Sequence, residues 1–112
     1  MTTLLEVGNN PPTAKWGEMD AELNDPNPAT RKHGVARIDS FCHVSLCGEA
    51  FPMKTEVHQM AVLVARHMVQ NANDDVKAAL LKSESTVLSV LKLCGGDDVV
   101  KQYDELKQSL NK

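Results

Sequence analysis

Hydrophobic positions recur at helical spacing along most of the chain. Trp16, Met19 and Leu23 fall at i, i+3 and i+7, while Lys15, Glu18, Asp20 and Glu22 point away from them. This predicts a short first helix capped by Thr13, weakened by Gly17 and ended by Asn24-Asp25-Pro26-Asn27-Pro28. The same segment opens a second helix. Asn27 suits the cap and Pro28 suits the first helical position, where its missing N–H costs nothing. Val35, Ile38, Phe41, Cys42 and Leu46 form the stripe of this helix, which closes at Gly48.

The third helix, Lys54 to Gln70, reads as the centre of the fold. Val57, Met60, Ala61, Val64 and Met68 make one face, and Val62, Ala65 and Val69 a second. Only Gln59, Arg66 and Gln70 remain as a polar strip, so neighbours should pack this helix on several sides. Asn73-Asp74-Asp75 starts the next segment, a cap followed by two acids at the positive end of the helix dipole. Val76, Ala79, Leu80, Val87, Val90, Leu91 and Cys94 continue it to Gly95-Gly96, as one helix or as two broken at Ser83-Glu84-Ser85. Asp97-Asp98 opens the last helix, whose Val99, Tyr103, Leu106 and Leu110 form a narrow stripe with charges on both sides.

Strand-type alternation of useful length is absent, and so is a repeat of fixed period. The expected fold is all-α: one helical domain over residues 13–112, four to five helices in an orthogonal or bundle-like arrangement. Residues 1–12 read as an extended N-terminal arm, because Pro11 and Pro12 block helix after the apolar Leu4, Leu5 and Val7.

Composition narrows the function. The 112 residues carry a formal net charge of −3 and four aromatic side chains, Trp16, Phe41, Phe51 and Tyr103. Direct nucleic-acid binding needs a clustered positive field or a stacking platform, and Arg31-Lys32-His33 is the only local basic cluster. No basic leader or lipidation motif is evident, and the longest apolar block, Met60 to Ala65, is six residues against the ~18 needed to span a bilayer. A cytoplasmic protein with no membrane association is expected. Three cysteines without a secretory signal read as reduced thiols.

Candidate chemistry is thin. Cys42 and Cys47, five apart on one helix, diverge by ~140° and cannot easily share a metal. His58 and His67, nine apart, lie on opposite sides of theirs. Cys42 and Cys94 sit in apolar stripes, which leaves Cys47 at a helix end as the most exposed thiol. His67, seven residues after Met60 and three after Val64, reads as a hydrogen-bonded core histidine. Asp97-Asp98 would repel a phosphate from the helix start they occupy. No catalytic residue, metal ligand or cofactor is assigned, and the expected protein is not an enzyme. A small thiol- or His-dependent enzyme using Cys47 or His67 is the alternative of another class.

What remains is apolar surface. The arm residues Leu4, Leu5 and Val7, and the stripe Val99, Tyr103, Leu106 and Leu110, have no obvious place in a four-helix core. They are the expected partner or dimer interface. The expected function is non-enzymatic: a homodimer that inhibits a larger protein by covering an apolar, dimerising surface. A phage or mobile-element inhibitor, or a secretion chaperone or adaptor, shares these features. With its size, helix pattern and the stretch Pro52-Met53-Lys54-Thr55-Glu56-Val57-His58-Gln59-Met60, the chain resembles the small all-helical bacterial anti-activators of quorum sensing, the QslA-like proteins. That resemblance implies a LuxR-type transcription factor as partner, kept from productive dimerisation or DNA binding.

Overall fold

Five α-helices and one π-helical turn make up the regular structure of residues 15–48 and 52–111, the part of the computed structural model described here. They are α1 (Trp16–Leu23), α2 (Pro28–Leu46), α3 (Lys54–Gln70), α4 (Asp74–Val90), the π-turn Leu91–Gly95 and α5 (Asp97–Leu110). The all-α expectation holds, with no strand among these residues. The expected extended arm, residues 1–12, and the expected cap Thr13 lie outside the described residues.

The proline-rich segment works as its sequence dictates. Asn27 Oδ1 accepts from the Ala29 N–H at 2.9 Å and Pro28 occupies the first turn of α2. Arg31 secures the loop from below, donating to the carbonyls of Asp25 (2.9 Å) and Pro26 (3.0 Å) and pairing with Asp75 at the start of α4. The basic cluster Arg31-Lys32-His33 is therefore mostly engaged, since His33 also contacts Glu22. Asn73 stands at the start of α4, but its side chain makes no capping bond there. Asp75 serves instead, accepting the Val76 N–H at 2.9 Å.

Residues 74–95 form one continuous element, with Ser83-Glu84-Ser85 inside it. The helix widens into the π-turn only at its end. There Gly95 lies against Val57 and Val99, and a Cβ on it would stand 2.8 Å from Val99 Cγ2. Gly96 follows at φ +88°, where other residues are strained, and reverses the chain into α5.

Arg31 and Asp75 pair near the starts of α2 and α4, and Lys54 and Asp98 pair at the starts of α3 and α5 at 2.9 Å. Each pair of helices therefore runs parallel, with α4 turned back against α3 through Asn71–Asn73. The short α1 lies across α2 and α3. Trp16 meets Phe41 edge to face at 5.1 Å and donates from Nε1 to Glu56 at 2.7 Å. The core is mainly aliphatic, with Leu23, Ile38, Met60, Val64, Leu80, Val87 and Leu91 fully buried.

Candidate interaction surface

The stripe Val99–Leu110 is placed differently from the sequence expectation. Val99 and Tyr103 are 2% and 1% exposed and belong to the chain's own core, so they have no surface to offer a partner. Tyr103 fills the seam between α3 and α5, and its hydroxyl donates to Glu84 on α4 at 2.7 Å and lies 3.2 Å from Met68 Sδ. Burial and the Glu84 carboxylate push its phenol well above the usual range. Glu84 in turn accepts from Lys107. Leu106 and Leu110 are half-buried. Leu4, Leu5 and Val7 lie outside the described residues.

The third helix is packed on several sides, as expected, by α1, α4, α5 and the π-turn, and one face stays partly open. Its inner faces pack on α1, α4 and α5, burying Leu63 and His67 in addition to most of the expected residues. Val62 and Val69 are half-buried on the outer face, beside the exposed Thr55, His58, Gln59 and Arg66. Shallow grooves flank this ridge. One of about 300 Å³ lies toward α1, between Trp16 and Val62. Two of about 310 and 380 Å³ lie toward α5, the first floored by Ala61, Val62, Tyr103 and Leu106. His58 lines all three.

Charge is confined to the ends of this surface. Lys54 pairs with Asp98 at one end, and Arg66 approaches Asp20 within 3.7 Å at the other. Between them the lining carries no Asp, Glu, Lys or Arg. From Thr55 to Arg66 the strip runs about 16 Å along the helix. Depletion of charge at the centre with polar groups at the rim is a feature that protein interfaces share.

A separate groove of about 440 Å³ runs between the starts of α2 and α4. Pro28, Val35, Ala36, Val76 and Ala79 form its apolar walls, and the Arg31–Asp75 pair, Lys32 and Asp39 complete its lining.

His67 is buried as expected, with Nε2 2.7 Å from Asp20 and Nδ1 2.8 Å from the Asn71 amide nitrogen. Both ring nitrogens are thus engaged within the chain. Cys42 is in the core against Met60, and burial, with Asp39 nearby, pushes its thiol up to about 12. Cys94 is half-buried and its thiol is also pushed up by burial. Cys47 is exposed, 3.5 Å from His43 Nε2. The i, i+4 spacing of His43 and Cys47 was the sequence signal for this contact, which comparison of Cys42 with its neighbours missed. Among the described residues no group of three or more metal-type side chains assembles, and no helix is long and apolar enough to cross a membrane. No protein-family model, curated protein or solved structure matches the chain.

Proposed function

We propose that this protein is a non-enzymatic binding protein that engages another polypeptide through the outer face of α3. One observation carries the reading: the third helix leaves Val62 half-buried on a strip whose central lining is free of charge, with a groove on each side. Leu106, of the stripe expected to form an interface, borders that strip. An amphipathic helix laid into either groove would bury these side chains, the usual mode of helix-in-groove recognition. The finer reading is a homodimer that inhibits a larger protein by occupying its dimerisation surface, as the quorum-sensing anti-activators do with a LuxR-type factor.

The test places charge on the strip. Val62→Glu is expected to keep the helical circular dichroism of the wild type while abolishing association, whether with a second copy, read by light scattering, or with the partner. A photoreactive residue at position 62 should crosslink to that partner in cells. A monomeric wild type that gives no crosslink from position 62 would sink the reading. The His43–Cys47 contact favours thiol chemistry as a second reading; there, Cys47→Ser abolishes the biological effect and Val62→Glu leaves it intact.

A further inference from the structure

The groove of about 440 Å³ between α2 and α4 carries a charge pattern of its own. Its apolar walls include the buried Val35 and Val76 and the small Ala36 and Ala79. Two exposed charges, Lys32 and Asp39, stand on its α2 side, and neither makes an ion pair or hydrogen bond among the described residues. Seven residues apart, they lie two helical turns, about 10.5 Å, from each other and within about 20° of the same face. We propose that a second copy of this chain occupies the groove, its α2 antiparallel to the first about a two-fold axis passing between Val35 and Ala36.

Lys32 and Asp39 are equidistant from that axis. Lys32 therefore stands opposite Asp39 of the partner subunit, and Asp39 opposite Lys32 of the partner subunit. The pattern is self-complementary, as a two-fold interface requires. A parallel arrangement would instead set lysine against lysine and aspartate against aspartate, which like-charge repulsion opposes. At the axis Ala36 meets Val35 of the partner subunit, and side chains this small let the helix axes approach to about 8 Å. The incoming helix also lies along α4, against Val76 and Ala79, so α2 and α4 of the two copies make a four-helix bundle. Burial of the apolar walls drives association, and the two ion pairs fix its register and direction. The proposal does not rest on the strip on α3: with the second copy seated here, that strip is left to the other polypeptide.

Sedimentation velocity on the full chain is the test, and the wild type is expected to be a dimer. Lys32→Asp faces acid with acid at both pairs and Asp39→Lys faces base with base, so each alone should weaken self-association about tenfold or more. Mixing the two variants restores opposite charges at both pairs, and an equimolar mixture should form the heterodimer at about wild-type strength. Both positions are exposed, so circular dichroism should be unchanged in each variant. Val62→Glu should leave this dimer intact, while crosslinking from position 62 reads the strip, so the two surfaces fail separately. A wild type that stays monomeric up to about 1 mM overturns the proposal. So does a dimer that either charge reversal leaves unweakened, a mixture that stays monomeric, or a dimer that Val62→Glu dissolves.

Discussion

His67 donates from Nε2 to Asp20 Oδ1 across 2.7 Å, with only 4% of the histidine exposed. The direction follows from Asn71, on the other side of the ring. Its Oδ1 accepts the Asn73 N–H at 2.7 Å, so its Nδ2 must be the atom that donates to His67 Nδ1 and to the Leu23 carbonyl at 2.9 Å. One amide thereby fixes a histidine tautomer and satisfies an orphan carbonyl at the end of α1.

The neutral His67 ring is accordingly expected as the Nε2–H tautomer, readable from its ¹⁵N shifts. Asn71→Ala leaves the buried Leu23 carbonyl without its donor, which costs about 1–3 kcal/mol. Urea denaturation measures this. Asn71→Asp should be as damaging, because it keeps the acceptor and loses both donated bonds. A cost below a few tenths of a kcal/mol in both variants would remove the bridge from any account of stability.

At the far end of the bundle the critical feature is an absence. A methyl group on Gly95 would collide with Val99 and press Val57 at 3.2 Å, both fully packed. Gly95→Ala is expected to destabilise by about 1–3 kcal/mol, as overpacked cores do. Val99→Ala should relieve part of that in the double variant, which separates steric crowding from a general helix effect. Additive costs in the double-mutant cycle would exclude the crowding.

These two sites also mark how far the sequence could be read. Asn27, Pro28 and the long apolar register of Lys54–Gln70 fixed their helices locally, and His67 was legible because it keeps step with Met60 and Val64. The fate of the last apolar stripe was not legible. A narrow stripe such as Val99–Leu110 has the same periodicity whether it faces a helix of its own chain or of another, and only tertiary packing placed Val99 and Tyr103 inside. The valines around α3 announced burial on several sides. Which side stays open depends on where α1 and α5 settle, a fact no local pattern contains. The π-turn left no signature beyond Gly95-Gly96, which reads equally as a simple stop.

Acid should loosen the α4–α5 contact through Glu84. Burial raises the pKa of its carboxyl, but the bonds from Lys107 and Tyr103 outweigh this and hold it below the ordinary value. A carboxyl depressed in the folded state stabilises above its unfolded pKa, and that contribution is lost as pH falls through the folded value. Stability should therefore decline below about pH 4.5. In Glu84→Gln this decline should be shallower, the remainder coming from Asp75 with Arg31, Asp98 with Lys54 and Glu22 with His33 and Arg37, all likewise depressed. Identical pH slopes in variant and wild type would exclude Glu84 as a contributor.

The three thiols should separate by access and ionisation. Cys47 is exposed and is expected to react first with an alkylating reagent at pH 8, with the half-buried Cys94 slower. Cys42 combines complete burial with a pKa of about 12, so its thiolate fraction at that pH is about 10⁻⁴ even before access is considered. Its labelling should await opening of the core and therefore track global stability in dilute urea. Mass spectrometry of timed samples gives the order directly. Asn71→Ala and Gly95→Ala should each accelerate labelling of Cys42 by the factor set by their loss of stability, while leaving the rate at Cys47 unchanged.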